Sequence, residues 1–232
     1  MHKILIGCPT RQDEEVFKLY LQSLNELERG DNQVDYFFIL HNSPNLKKYL
    51  KENEYTEITT NSKYVIGDTH YWQDDNLKEV TIMKNFLLHK TLSEGYDYLF
   101  LIDSDIILNK NVLLHLLEQK KNIISEIFWT KWTSQREEEP NAWTHDFYSF
   151  DNLNRLKLWR EKNVYEVGGT GACILIHRNV IEAGVNYSPI KNVSFTNWED
   201  RAFCIRANVL GFNIYLDTNY PAKHLYRGLK NG

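Results

Sequence analysis

The 232 residues are 42% hydrophobic and 25% charged, an ordinary soluble balance, and the formal net charge of −4 argues against a nucleic-acid binder working through a broad basic surface. Cys8, Cys173 and Cys204 are too few and too scattered for a disulfide framework or a zinc site, and read as buried thiols. No apolar run reaches transmembrane length and "MHKILIGCPT" is too short for a signal peptide, so a cytoplasmic protein is expected, with peripheral membrane contact still open.

In chain order, "KILIGC" reads as a strand. "TRQDEEVFKLYLQSLNELERG" reads as a helix with acids in its first turn, Val16, Tyr20, Leu24 and Leu27 on one face, and Gly30 as its stop. "VDYFFIL" is a second strand, and in "SPNLKKYLKEN" Ser43 suits a cap and Pro44 the first helical position. A short strand "YTEITT", a helix "DDNLKEVTIMKNFLLHKTLSEG" closed by Gly95, and the strand "DYLFLI" complete a β-α alternation. That alternation predicts an α/β fold with an open, mostly parallel sheet flanked by helices.

The second half is looser. A helix over 110–121 precedes the strand "IISEIFW" and a long polar segment to Tyr165; "ACILIH", a helix "EDRAFCIRANVLG" and a strand "FNIYLD" follow. Structureless stretches of that length are usually binding loops or lids. Trp129, Trp132 and Trp143 flank the polar "FWTKWTSQREEEPNAW", and Trp198 stands before the acids of the late helix. Flat apolar rings stack well on sugars, so Trp129, Trp132 and Trp198 are candidate acceptor contacts on a loop over 130–145. With no repeat or linker, residues 1–232 read as a single domain. Residues 109–232 read as the substrate side, with a small subregion of its own.

"YDYLFLIDSDIIL" drives an apolar strand into Asp103 and Asp105. A bare Asp-x-Asp is expected by chance in a chain of this composition; its placement at a strand end carries the signal. Ligands of open parallel sheets bind at the carboxyl ends of the strands. Two acids there repel each other unless a cation compensates, and oxygen ligands suit Mg²⁺ or Mn²⁺. "VGGTGACILIHR" sets Gly168, Gly169 and Gly171 before a strand, where backbone can approach a ligand closely. "NWEDRAFCIRANVLGF" puts Glu199 and Asp200 in the first turn of a helix, whose dipole favours the ionised form. "YPAKHLYRG" holds His224 after the last strand.

In this order and spacing, "IGCPTRQDE", "FILHNS", "YDYLFLIDSDIIL", "GGTGACILIHR", "WEDRAFCIRANVLGFNIYLD" and "HLY" resemble the glycosyltransferases of the GT-A fold, most closely family 2, over essentially the whole chain. The resemblance implies a GT-A, Rossmann-like fold and metal-dependent transfer of a sugar from a UDP- or GDP-sugar to an acceptor hydroxyl, with inversion. On the same resemblance, residues 1–108 would be the nucleotide-binding half and 109–232 the acceptor-binding half. It implies Asp105 and His224 as metal ligands with Asp103 contributing to metal or ribose, and Asp200 as general base beside Glu199. Pro9, Thr10, Arg11, Asn42, Ser104 and Gly169 would line the nucleotide-sugar site. Where the family often carries an acid that reads a uracil edge, this chain has His41-Asn42, which leaves the nucleotide open. The acceptor, whether glycan, protein, lipid carrier or modified nucleobase, is equally open.

Other readings fit less well. An aspartyl phosphatase places its Asp-x-Asp after the first strand of the domain, and a sugar-nucleotide pyrophosphorylase needs a glycine-rich loop where this chain has "CPTRQDEE". A non-catalytic sugar- or nucleotide-binding protein would carry the same spacings without a competent base.

Overall fold

A computed structural model describes residues 1–62, 74–132, 137–145, 156–191 and 199–226. Strand β1 (Lys3–Thr10) is apolar on both faces and feeds two separate cores. Leu5 packs with Leu99 and Leu101 of β4 (Tyr98–Leu101) on one face, while Ile4, Ile6 and Cys8 join Phe100 on the other. The period of two across a pleat produces this division, and each fully buried aliphatic or phenyl side chain contributes about 1.5–3 kcal/mol. Helix α2 (Asp74–Ser93) covers the first face through Met83, Leu87 and Leu88. Helix α1 (Glu14–Asn25) and α3 (Val112–Glu118) cover the second through Phe17, Tyr20, Leu24, Leu113 and Leu116.

Both of those shorter helices fall inside the spans expected from sequence. Helix α1 ends at a C-cap on Glu26, and Gly30 serves a later turn at φ +53°. Residues Pro44–Tyr49 form a 3-10 helix, and Ser43 does not cap it, because its Oγ donates to the His41 carbonyl at 3.1 Å.

The sheet runs β3 (Tyr55–Ile58), β2 (Gln33–His41), β1, β4, β11 (Ile174–His177), β6 (Ile123–Thr130), β12 (Ile214–His224), β5 (Ile106–Ile107). Strands β3, β2, β1 and β4 are mutually parallel. Strand β11 is antiparallel to both β4 and β6, and β6 and β12 are again parallel. The expected polar stretch before Tyr165 contains β7 (Glu139–Pro140) on β6 and β8 (Ala142–Trp143) on β10 (Gly169–Thr170). Strand β9 (Val164–Val167) lines the flank of β12. Helices α4 (Arg178–Glu182) and α5 (Glu199–Val209) pack on the α2 face through Val180, Ile181, Phe203 and Ala207.

From β1 the chain moves outward through β2 and β3, then returns to place β4 on the other side of β1. Strand order therefore reverses between β1 and β4, and their carboxyl ends border the crevice where open sheets bind ligands.

Candidate active site

Asp103 and Asp105 follow β4 at that crevice, in a turn closed by the Ile106 amide donating to the Asp103 carbonyl at 3.1 Å. Both are half-buried and Ser104 between them is buried. Burial, outweighing the attraction of Lys84, raises the Asp103 pKa, and the charge of Asp105 adds to the rise. The last strand returns to this turn. His224 and Lys223 of β12 pair with Ile106 and Ile107, and the Leu225 amide donates to the Asp105 carbonyl at 2.8 Å. His224 is thus the final residue of β12 rather than a residue beyond it. Its Nε2 lies 3.3 Å from Asp105 Oδ2, while Nδ1 meets the Thr130 hydroxyl at 2.8 Å and Phe128 packs edge-on at 4.9 Å. The ring is oriented from behind, as metal-bound imidazoles are.

Glu199 and Asp200 open α5 on the same side of the sheet, and both reach Lys84 of α2. Lys84 Nζ sits 2.9 Å from Glu199 Oε1 and 2.7 Å from Asp200 Oδ1, with its side chain only 3% exposed. Burial opposes the Lys84 charge, but Asp200 and Glu199 outweigh it and lift its pKa well above the usual value. Asp200, 29% exposed, has its pKa raised to about 7 by burial, against the pull of Lys84. The raised pKa brings Asp200 nearer to neutrality than an ordinary carboxylate, as suits a group that exchanges a proton.

Lys84 was not singled out from the sequence, although a signal existed. It falls on the buried stripe Leu77, Thr81, Lys84, Leu88, Thr91, where a lysine must find acids. Glu126 is a parallel case in the apolar strand β6. It is fully buried, burial and Asp217 raise its pKa to about 9, and Asp217 in turn meets His115 at 2.8 Å.

Other expected residues have protein partners. Thr10 is buried, with its hydroxyl on the Cys8 carbonyl at 3.2 Å. Pro9 and Arg11 are half-buried beside it. The Asn42 amide is engaged with Thr60, donating to its carbonyl at 3.2 Å and accepting from its amide at 2.9 Å. Beside it, His41 Nε2 lies 3.1 Å from Glu79 of α2. Gly169 faces Trp143, whose ring would stand 2.3 Å from an added Cβ, so the close approach there is to a buried tryptophan. Gly171 instead faces Asp200, whose Oδ2 would stand 2.8 Å from an added Cβ. One face of Trp129 is covered by the Arg160 guanidinium at 3.4 Å, and Trp132 packs against Tyr226 at 5.3 Å. Trp198 lies outside the described residues.

Four carboxylates, Asp103, Asp105, Glu199 and Asp200, thus converge where Lys84 supplies one fixed positive charge. The mixed oxygen and nitrogen donors of Asp105 and His224 fit Mn²⁺ or Mg²⁺. Among the described residues no group of three or more His, Cys, Asp or Glu is gathered to hold a metal by itself.

No protein-family model matches the chain, and no curated protein matches it. Among solved structures, it is similar to A197 from STIV, at 13% identity and TM-score 0.51, over 97% of this chain and 85% of that one. It is also similar to S. aureus TarS 1-349, at 14% identity and TM-score 0.55, over 96% of this chain and 60% of that one. The same TarS segment in complex with UDP gives 13% identity and TM-score 0.55, over 95% of this chain and 60% of that one. The chain therefore spans about three-fifths of that TarS segment. At these identities the likeness is one of fold, and it bears out the expected GT-A-like open sheet flanked by helices.

Proposed function

We propose that this chain transfers a sugar from a nucleoside diphosphate-sugar to an acceptor hydroxyl, as a GT-A glycosyltransferase of the family-2 type. The observation that carries the reading is the meeting of two sets around Asp103, which lies within electrostatic reach of Asp105 and His224 on one hand and of Lys84 and Glu199, with Asp200, on the other. A fold shared with a protein crystallised with UDP supports the same reading.

Asp105 and His224 would hold Mn²⁺ or Mg²⁺, with Asp103 on its water shell or on the ribose. That cation would neutralise the charge developing on the diphosphate leaving group. Asp200 would take the proton of the acceptor hydroxyl, a role worth roughly 10²–10⁴-fold. Burial has already raised its pKa to about 7, so it can accept a proton near neutrality. Lys84 acts through it: the ammonium fixes Oδ1 and leaves Oδ2, the atom beside Gly171, as the basic oxygen. An added side chain at 171 would press on that oxygen. Attack from the Asp200 side, opposite the diphosphate, would invert the anomeric centre.

The test is a panel of UDP- and GDP-sugars with Mn²⁺, read by donor hydrolysis, thermal stabilisation and product NMR. Metal-dependent donor turnover with an inverted product supports the reading. Binding with no turnover on any donor or acceptor would leave a binding protein, and retention would remove the need for this base.

A further inference from the structure

We infer that Asn76 is a sugar-contacting residue of the donor site, an inference that rests on the reading of the crevice as a nucleotide-sugar site. Asn76 is the third residue of α2 and is only 5% exposed, yet neither its Nδ2 nor its Oδ1 finds a hydrogen-bond partner among the described residues. A buried amide with both ends unpaired opposes folding, and native proteins rarely keep one without a use for it.

Its position says what that use is. Asn76 and Lys84 are eight residues apart, which sets them about 80° apart around α2, and Asn76 stands about 12 Å further along the axis. Lys84 is at the level of the Glu199–Asp200 pair. Between them, Glu79 meets His41, the last residue of β2, and Ser62 at 2.8 Å. Asn76 therefore lies past the carboxyl ends of the strands, on the arc of α2 between the Lys84 and Glu79 contacts.

The chemistry of the amide narrows the ligand. A phosphate only accepts hydrogen bonds, so it would satisfy Nδ2 and leave Oδ1 unpaired. A sugar hydroxyl both gives and accepts, and two neighbouring hydroxyls satisfy the amide's donor and acceptor together. A nucleobase edge could do the same, and the test separates it from the sugar.

Asn76→Leu keeps the volume and removes the amide. Thermal unfolding, and calorimetry with UDP, UDP-GlcNAc, GDP and GDP-mannose in Mn²⁺, compare it with the wild-type chain. The expected result is a higher Tm, unchanged affinity for the free nucleoside diphosphate, and about a tenfold or larger loss of affinity for the nucleotide-sugar that the wild type prefers. Asn76→Ala is the second variant should leucine disturb the helix, and it should give the same split between ligands. An equal loss for diphosphate and nucleotide-sugar would place Asn76 at the nucleotide end and overturn the inference. Unchanged nucleotide-sugar binding would overturn it while leaving the proposed function intact. A wild-type chain that bound neither class of ligand would overturn both.

Discussion

Around Lys84, the carboxylates of Glu199 and Asp200 keep a buried ammonium between them, whereas Glu126, at the centre of β6, meets its burial by holding a proton. The first set opens on the crevice, and Asp200 remains part-exposed beside Gly171. The second is closed. Asp217 and Glu126 are fully buried, with Asp217 held by His115 and by the Asn219 amide at 2.7 Å, and Glu126 Oε1 accepting from the Tyr220 amide at 3.2 Å. Glu126 Oε2 lacks a partner among the described residues as a carboxylate; protonated, it can donate to Asp217. Buried acids thus have two solutions here. A counter-ion preserves charge for use on a ligand, and a shared proton surrenders it to hold the bulge of β12 between Asp217 and Ala222.

The largest effect expected from breaking this contrast is at Asp200. Asp200→Asn should lower kcat by roughly 10²–10⁴-fold while donor affinity measured by calorimetry stays unchanged, because the diphosphate contacts are intact. In the wild type, the base must be unprotonated, so kcat/KM should fall as pH drops below about 7, and a pH–rate profile reads that limb. Next comes Lys84→Met, which leaves Glu199 and Asp200 without their ammonium. Chemical denaturation at neutral pH should report a loss of about 3–5 kcal/mol, the usual cost of orphaning buried charge. His224→Ala should weaken Mn²⁺ binding in calorimetry and leave nucleotide binding in EDTA unchanged; an unaltered Mn²⁺ affinity would make His224 structural.

The smallest effect sharpens the other side of the comparison. Glu126→Gln should change stability little below about pH 4.5, where the acid is neutral in both states, and should stabilise the chain at pH 7, where only the unfolded wild type releases the proton. It should thereby remove a pH dependence. Glu126 has a folded pKa of about 9 against an ordinary value of 4.5, so between those values the native state holds the proton that the unfolded chain releases. Its contribution is full below pH 4.5 and is lost as pH rises to about 9. Denaturation midpoints across that range should fall in the wild type more than in the variant.

Much of the architecture was legible because it is local. The apolar runs of β1, β2 and β4, the acids opening α1 and the stop at Gly95 (φ +71°) each follow from neighbouring residues. The direction of β11 was not, since "ACILIH" reads alike in a parallel or an antiparallel setting and only its partners decide. Trp143 escaped the reading for a related reason. A polar neighbourhood in sequence suggested an exposed ring, but β8 folds Trp143 against Gly169. The bonding of the Asn42 amide to Thr60, just after β3, could likewise not be read from neighbouring residues. The acids of the crevice could be read from sequence, whereas their partner Lys84 required knowing which helix crosses above them.

The pairing of β12 with β5 ties the Asp105–His224 contact to the closing of the sheet by residues far apart in the chain. Asp105 sits where β4 ends, yet its carbonyl is bonded by Leu225 and its carboxylate neighbour is His224. Contacts so distant along the chain carry a larger loop-closure cost than those within the local β-α units. A cation held at Asp105 and His224 would then act as a staple on the closing strand, since binding only to the docked form stabilises docking. The amide hydrogen of Leu225 should accordingly exchange with solvent more slowly in Mn²⁺ than in EDTA, and the same linkage would hinder an incompletely closed chain from engaging its donor.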